Sequence, residues 1–285
     1  MSRTRTRPDL RDRATQVRAD TLLMTHGAGS GHPGSSFSSV ELLVWLYGEE
    51  LGVDPDAPDA AGRDRLVFSK GHASPALYAV LAREGFFPYD ELFSLRRRDG
   101  SLEGHAESDV PGVEFSSGSL GQGLSFAVGT RLGARLRDRE FRTIVVLGDG
   151  ELQEGAVWEA AMSAAHRGCD DLIAVVEHNG VQNDDRVAET KSLEPLAAKF
   201  EAFGWATTAC DGHAFDDIAR AFREANAAEK PAVVLADTEK GHGVSFMQAD
   251  RLGYHSSVLS REELTRALVE LDASDRLSEV DRWID

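Results

Sequence analysis

Two oxygen-bearing side chains stand at the ends of successive apolar runs, where chemistry is most easily built. Asp149, in the triplet Gly148-Asp149-Gly150, directly follows the β-branched run 143–147 (TIVVL), and Asn179 comes thirty residues later, after the run 172–177. If both runs are parallel strands, their carboxyl ends open on one crevice, where a ligand is expected. A carboxylate and a carboxamide oxygen converging there suit a hard divalent cation such as Mg²⁺, which takes few protein oxygens and shares the rest with phosphates. The flanking glycines would let backbone N–H groups approach an anion. The same pair also fits a turn aspartate and a capping asparagine that touch no metal.

Histidines form the second set. His32 lies in Ser30-Gly31-His32-Pro33-Gly34, His72 in Lys70-Gly71-His72, His105 after Gly104, and His255 after Tyr254. Glycine lets a backbone approach a ligand, and imidazole carries protons near neutral pH, so four histidines in or beside glycine-containing loops point to proton handling. A zinc site is the weaker alternative, because no local H-x-x-x-H pair exists among them. The stretch Gly118-Ser119-Leu120-Gly121-Gln122-Gly123 resembles a phosphate loop but lacks a preceding strand and the Lys-Ser/Thr ending.

The elements that must hold these residues alternate. Short apolar runs at 66–69, 143–147, 172–177, 206–209 and 232–236 read as strands, and helical spacing marks 9–25, 40–46, 75–83, 120–137, 154–167, 196–203 and 215–227. Glycine- and serine-rich 26–36 and the glycine-punctuated 96–119 read as loops. Strands alternating with helices predict an α/β fold, a doubly wound, mostly parallel sheet with helices on both faces. The chain reads as a single domain over 1–285, with a frayed 1–8 and a helical C-terminal tail from about 260.

Composition narrows the partners. Asp and Glu outnumber Lys and Arg 48 to 31, a net charge of −17 that repels nucleic acid and anionic membrane surfaces. No apolar run approaches the length of a membrane helix, and the basic N-terminus lacks the apolar centre of a signal peptide. The two cysteines, Cys169 and Cys210, form neither a disulfide framework nor a metal motif, which suits a cytoplasmic protein. A nicotinamide oxidoreductase would need G-x-G-x-x-G after its strand, whereas TIVVL runs into GDGELQEG.

Taken together the segments resemble the N-terminal, diphosphate-binding half of transketolases, a thiamine-diphosphate enzyme family. The likeness runs in order through SGHPG (30–34), FSKGHASPALY (68–78), GVEFSSGSLGQG (112–123), GDGELQEG (148–155), HNG (178–180) and TEKGHGVSFM (238–247). It implies that Asp149, Asn179 and the backbone carbonyl of Val181 hold Mg²⁺, or Ca²⁺ or Mn²⁺ in its place. It also sets Gly150 beside the diphosphate and Gly118 and Leu120 near the thiazolium. His32, His72 and His105 match cofactor- and substrate-contacting histidines, and His255 matches a fourth. Glu154 and Glu159 match acidic residues at a dimer contact that supports the neighbouring module's catalytic glutamate. Departures lie at Ala106 and Ser119, where the family commonly has proline, and in Tyr254-His255-Ser256-Ser257.

The resemblance implies the N-terminal subunit of a split transketolase, moving a two-carbon ketol unit from a ketose phosphate to an aldehyde. The alternatives are transfer to a lipoyl or carrier-protein thiol, as in dehydrogenase-like or natural-product systems, and a non-enzymatic binding module, disfavoured because Asp149 and Asn179 are both present. The aminopyrimidine module is expected on a separately encoded C-terminal subunit, in a heterotetramer of two copies each, with this chain silent alone. The face bearing Leu120, Glu154 and Trp158 is expected to bury against that partner.

Overall fold

The computed structural model describes residues 7–284; most of the lead-in expected to fray, 1–6, lies outside the described residues. Its centre is one five-stranded sheet: β1 (Arg65–Phe68), β2 (Thr143–Gly148), β3 (Leu172–His178), β4 (Ala206–Asp211) and β5 (Ala232–Asp237). The order is β1-β2-β3-β5-β4 with every pairing parallel, and the register sets Gly148 against Glu177 and His178 against Asp237. The carboxyl ends of β2, β3 and β5 therefore finish level with one another.

Successive residues of a strand point to opposite faces, and both faces are buried. Ile144, Val146, Ile173, Val175 and Val234 enter one apolar layer, while Val145, Leu147, Ala174, Val176 and Val233 enter the other. Along the chain the helices are α1 (Arg7–Ala28), α2 (Pro33–Phe37), α3 (Val40–Trp45), α4 (Ser74–Glu84), α5 (Gly123–Arg135), α6 (Gly155–His166), α7 (Val187–Lys191), α8 (Leu196–Ala202), α9 (Phe215–Asn226), α10 (Ser245–Ala249), α11 (Arg261–Glu270) and α12 (Val280–Ile284). Residues of α1, α3, α4, α9 and α11 fill the first layer, and those of α5, α6 and α8 fill the second. α9 shows why: Phe215, Ile218, Phe222 and Ala225 recur at three- and four-residue steps along its buried side. Gly85, in the left-handed region at φ 94°, closes α4 by returning its N–H to the Leu81 carbonyl at 3.1 Å.

The doubly wound parallel sheet matches the expectation; the differences lie at the ends of elements. The first helix starts at Arg7, inside the segment expected to fray, and runs to Ala28, into the expected loop, which itself contains α2. α5 begins at Gly123 instead of Leu120, because Gly121 at φ 85° is not helical. The C-terminal tail is helical but not loose. Arg276 pairs with fully buried Asp20 of α1 at 3.0 Å, and Tyr89 donates to the same carboxylate at 2.6 Å. Trp283 is only 1% exposed, its ring 4.2 Å from that of Phe93, and a Cβ at Gly27 would lie 2.1 Å from its carbonyl oxygen. A large apolar side chain seated this way is core, so Trp283→Ala is expected to lower the unfolding free energy by about 3–5 kcal/mol, measured by urea denaturation; a loss below about 1 kcal/mol would return the segment to the status of a tail.

Candidate active site

The level strand ends bring the chemistry-bearing residues together. Asp149 follows the last residue of β2 and is 2% exposed; its Oδ1 accepts the Gly150 N–H at 2.7 Å and its Oδ2 the Gly180 N–H at 2.6 Å. Gly180, at φ 73°, makes that approach possible. Asn179 follows β3, and its Oδ1 accepts the Val181 N–H at 3.1 Å. Val181, buried, bridges to Arg186 and so pins the turn between them. Burial holds the Asp149 carboxyl above the usual carboxylate range even against two N–H donors. A buried carboxylate disfavoured in this way, beside a carboxamide oxygen, fits a hard cation whose charge would reverse the shift.

Three of the predicted histidines meet directly. The His32 ring lies 5.2 Å from that of His72 and 5.6 Å from that of His255, both edge-on, and His72 stacks on His255 at 5.7 Å. Burial first, then neighbouring cations, lowers His32 to about 4 and His255 to about 3, and carries His72 well below its ordinary value. All three are therefore neutral at physiological pH, each with one nitrogen to donate and one to accept. His32 Nδ1 is buried with no partner among the described residues, an orphan that a ligand could satisfy. His105 stands opposite, beside Gly118, its backbone carbonyl accepting the Tyr78 hydroxyl at 3.0 Å.

One cavity of about 410 Å³ is lined by His32, His72, His105, His255, Gly118, Leu120, Asp149, Gly150, Glu154, Asn179 and Val181, which is every residue the sequence singled out for catalysis, cofactor or metal. Glu159 lies on the exposed side of α6, away from this lining. Trp158 is half-buried, donating Nε1 to the Leu152 carbonyl at 2.8 Å with its ring 5.3 Å from that of Phe200. Leu120 is 37% exposed.

The residues that sequence reasoning missed are charged. Lys70 and fully buried Glu177 form an ion pair at the centre of the strand ends, and Ser38 and Ser39 donate to the same carboxylate at 2.9 and 2.7 Å. Buried Glu151 accepts the N–H groups of Gly121 at 2.8 Å and Gly148 at 3.1 Å, which ties the 118–123 loop to β2. Lys240 projects into the cavity, contacts His255 Nδ1, and has no carboxylate within ion-pair reach among the described residues. Burial and the neighbouring Lys70 pull it down to about 7. A signal was available: the tripeptide Lys-Gly-His occurs twice, at 70–72 and 240–242.

Among known proteins, the family model for the thiamine diphosphate binding domain of transketolase matches residues 11–275. The chain is 41% identical over 266 residues to the 6-deoxy-6-sulfo-D-fructose transketolase subunit of a Clostridium species, covering 93% of this chain and 96% of that one. It is 35% identical over 260 residues to an apulose-4-phosphate transketolase subunit of Phocaeicola vulgatus, covering 91% and 92%. The solved transketolase of Campylobacter jejuni superposes with a TM-score of 0.89 at 27% identity, over 99% of this chain but 47% of that one. The chain thus spans about half the length of that solved structure and nearly all of the two subunits.

The lowered histidines set a pH dependence. A group held neutral in the fold and free to charge once unfolded binds fewer protons when folded, so stability falls as pH drops below about 6.5 and levels off below the folded values of about 4 for His32 and about 3 for His255. Denaturation midpoints across pH 4–7 are expected to show this fall, and His255→Asn to make it shallower. An unchanged slope in the variant would mean that His255 charges freely in the folded chain.

Proposed function

The chain belongs to the transketolase family, in its thiamine-diphosphate-binding domain, and from that premise we propose that it is the diphosphate-binding subunit of a two-subunit transketolase. The reaction would transfer a two-carbon ketol unit from a ketose phosphate to an aldehyde acceptor. The observation that carries this reading is the convergence of Asp149 and Asn179 with four imidazoles on one cavity. The relatives are named as transketolases, and nothing favours a thiol acceptor over an aldehyde.

Thiamine diphosphate, when bound, supplies the carbanion chemistry and the electron sink that carbon–carbon cleavage of a ketose requires. Asp149, Asn179 and the Val181 carbonyl would hold the divalent cation, Mg²⁺ or Ca²⁺ or Mn²⁺, and Gly150, without a side chain, would leave the diphosphate its approach. Lys240, a buried amine with no carboxylate within ion-pair reach among the described residues, suits an anion. Gly118 and Leu120 would flank the thiazolium. His105 and His32, neutral and cavity-facing, would hydrogen-bond the donor's carbonyl oxygen and take the proton from its C3 hydroxyl, with His72 and His255 completing the wall.

The partner is inferred from the relatives' names, which describe subunits. The aminopyrimidine module with its catalytic glutamate would sit on a separate chain, two copies of each forming the active assembly and this chain inactive alone, with Glu154 at the junction. Exposed Leu120, Phe126 and Met162, at 37%, 40% and 52%, give that contact an apolar face. Residues 1–285 would act as one folded unit. No described helix is long and apolar enough to cross a membrane, and the two cysteines are buried free thiols, in keeping with a cytoplasmic site of action.

The test is reconstitution with the partner and steady-state assay with a ketose phosphate donor. His32→Ala and His105→Ala are expected to lower turnover about 10²-fold or more while cofactor binding persists, with exposed His166→Ala unaffected. Equal rates for all three variants would defeat the histidine assignment. Asp149→Ala is expected to abolish magnesium-dependent retention of the cofactor, measured by calorimetry, and Asn179→Ala to weaken it less, since its ligand is neutral. Full activity of Asp149→Ala at limiting magnesium would remove the metal assignment.

A further inference from the structure

Behind the cavity wall lies a second cluster that the proposed reaction does not use. The turn from Glu239 to Gly243 carries Lys240 inward, and its backbone is gripped from the far side. His213, two residues beyond β4, accepts the Glu239 N–H on Nε2 at 2.8 Å. A backbone N–H can only donate, so the His213 proton is on Nδ1, which donates to Glu41 Oε2 at 2.8 Å. Arg18 donates from Nη2 to the same oxygen at 2.8 Å and from Nε to the His242 carbonyl at 2.9 Å. The His242 ring lies flat on that of His213, centroids 3.7 Å apart and planes 7° from parallel, and the Gly241 N–H reaches the Gly34 carbonyl at 3.3 Å.

Glu41, His213 and His242 also bring ligand atoms within 4.8 Å of one another, a spacing open to a transition metal. Three features count against one. Both nitrogens of His213 already have partners, and the Arg18 guanidinium neutralises Glu41. Lone pairs in nearly parallel ring planes also do not converge on one point. Burial holds His242 down to about 4, so its own ring is uncharged at neutral pH.

We propose that His213, backed by Glu41 and Arg18, is a positioning residue that fixes the 239–243 turn so that the Lys240 ammonium stays aimed into the cavity. The importance of that aim rests on the reading of the cavity as a diphosphate site; the clamp itself does not. Two polar, non-titrating substitutions separate the branches of the imidazole. His213→Gln places an acceptor near the Nε2 position and keeps the bond to Glu239, whereas His213→Asn reaches only the Nδ1 position, keeping Glu41 and releasing the turn.

Acylation of lysines by a water-soluble anhydride, followed by mass spectrometry of the full chain, reads the outcome. His213→Asn is expected to speed modification of Lys240 about tenfold and to raise amide exchange across 238–243, His213→Gln to stay within about twofold of the parent, and exposed Lys230 to change in neither. If the Asn variant does not fold, Arg18→Lys decides, since it keeps a cation against Glu41 but loses the bond to His242; it is expected to loosen the same turn. In the reconstituted complex, His213→Asn should raise the KM for thiamine diphosphate with little change in kcat at saturation, and His213→Gln should restore it. Asn and Gln variants that behave alike, or Zn²⁺ bound by the parent and lost from both, would overturn the clamp. A parent complex without ketol transfer would instead remove the functional reading, leaving the acylation contrast to decide the clamp.

Discussion

The arrangement depends on one buried ion pair. Glu177 is the penultimate residue of β3 and wholly enclosed, and an uncompensated carboxylate there would cost several kcal/mol. Lys70 supplies the opposite charge from the end of β1, and Ser38 and Ser39 supply hydroxyls from the turn between α2 and α3. Satisfying that one group thus fixes two separate stretches of chain against the end of β3. Asp149, just past β2, and Asn179, just past β3, stand at the same strand ends, so the positions proposed for a cation share that constraint.

Around that pair the protein handles charge sparingly. The imidazoles are kept neutral by burial, and Lys240 is brought near its own neutral form, while Asp149 and Glu151 sit above the usual carboxylate range. Each shift marks a group whose charged form is under-solvated. Clustered in one cavity, such groups are compatible with the charged ligands proposed for it. An anion would restore charge to the lysine, and a cation would restore it to the carboxylates.

Much of this was legible in the sequence because the informative residues sit where periodicity breaks. TIVVL and the run 172–177 announce buried strands by β-branching, and the residues just past each strand end form the site. Glu177 was hidden for the opposite reason: it lies inside an apolar run, and nothing local distinguishes a buried, paired glutamate from a strand-end residue facing water. Lys70 stands in the sequence only as a neighbour of His72, since its partner is 107 positions away. Helical spacing places Trp158 on a face but not the χ angles that set its indole against Phe200. The C-terminal helix was foreseen as an element, but its docking on α1 depends on Gly27 leaving room for Trp283, a complementarity between distant residues that no local pattern encodes.

The cavity wall also constrains how the chain reaches its native state. Gly34 meets the carbonyl of Tyr254 so closely that a Cβ there would lie 2.3 Å from it, and Ser35 faces His255 across a sequence separation of 220 residues. Closing such loops costs chain entropy before any contact rewards it, and parallel strands already delay folding in the same way. The imidazole wall is therefore built from contacts of high sequence separation, whose closure carries the larger entropic cost. A partly folded chain with the sheet in place but the 254–255 segment undocked would carry Asp149 and Asn179 without the enclosure around them, so the proposed cofactor site would be complete only once that segment docks.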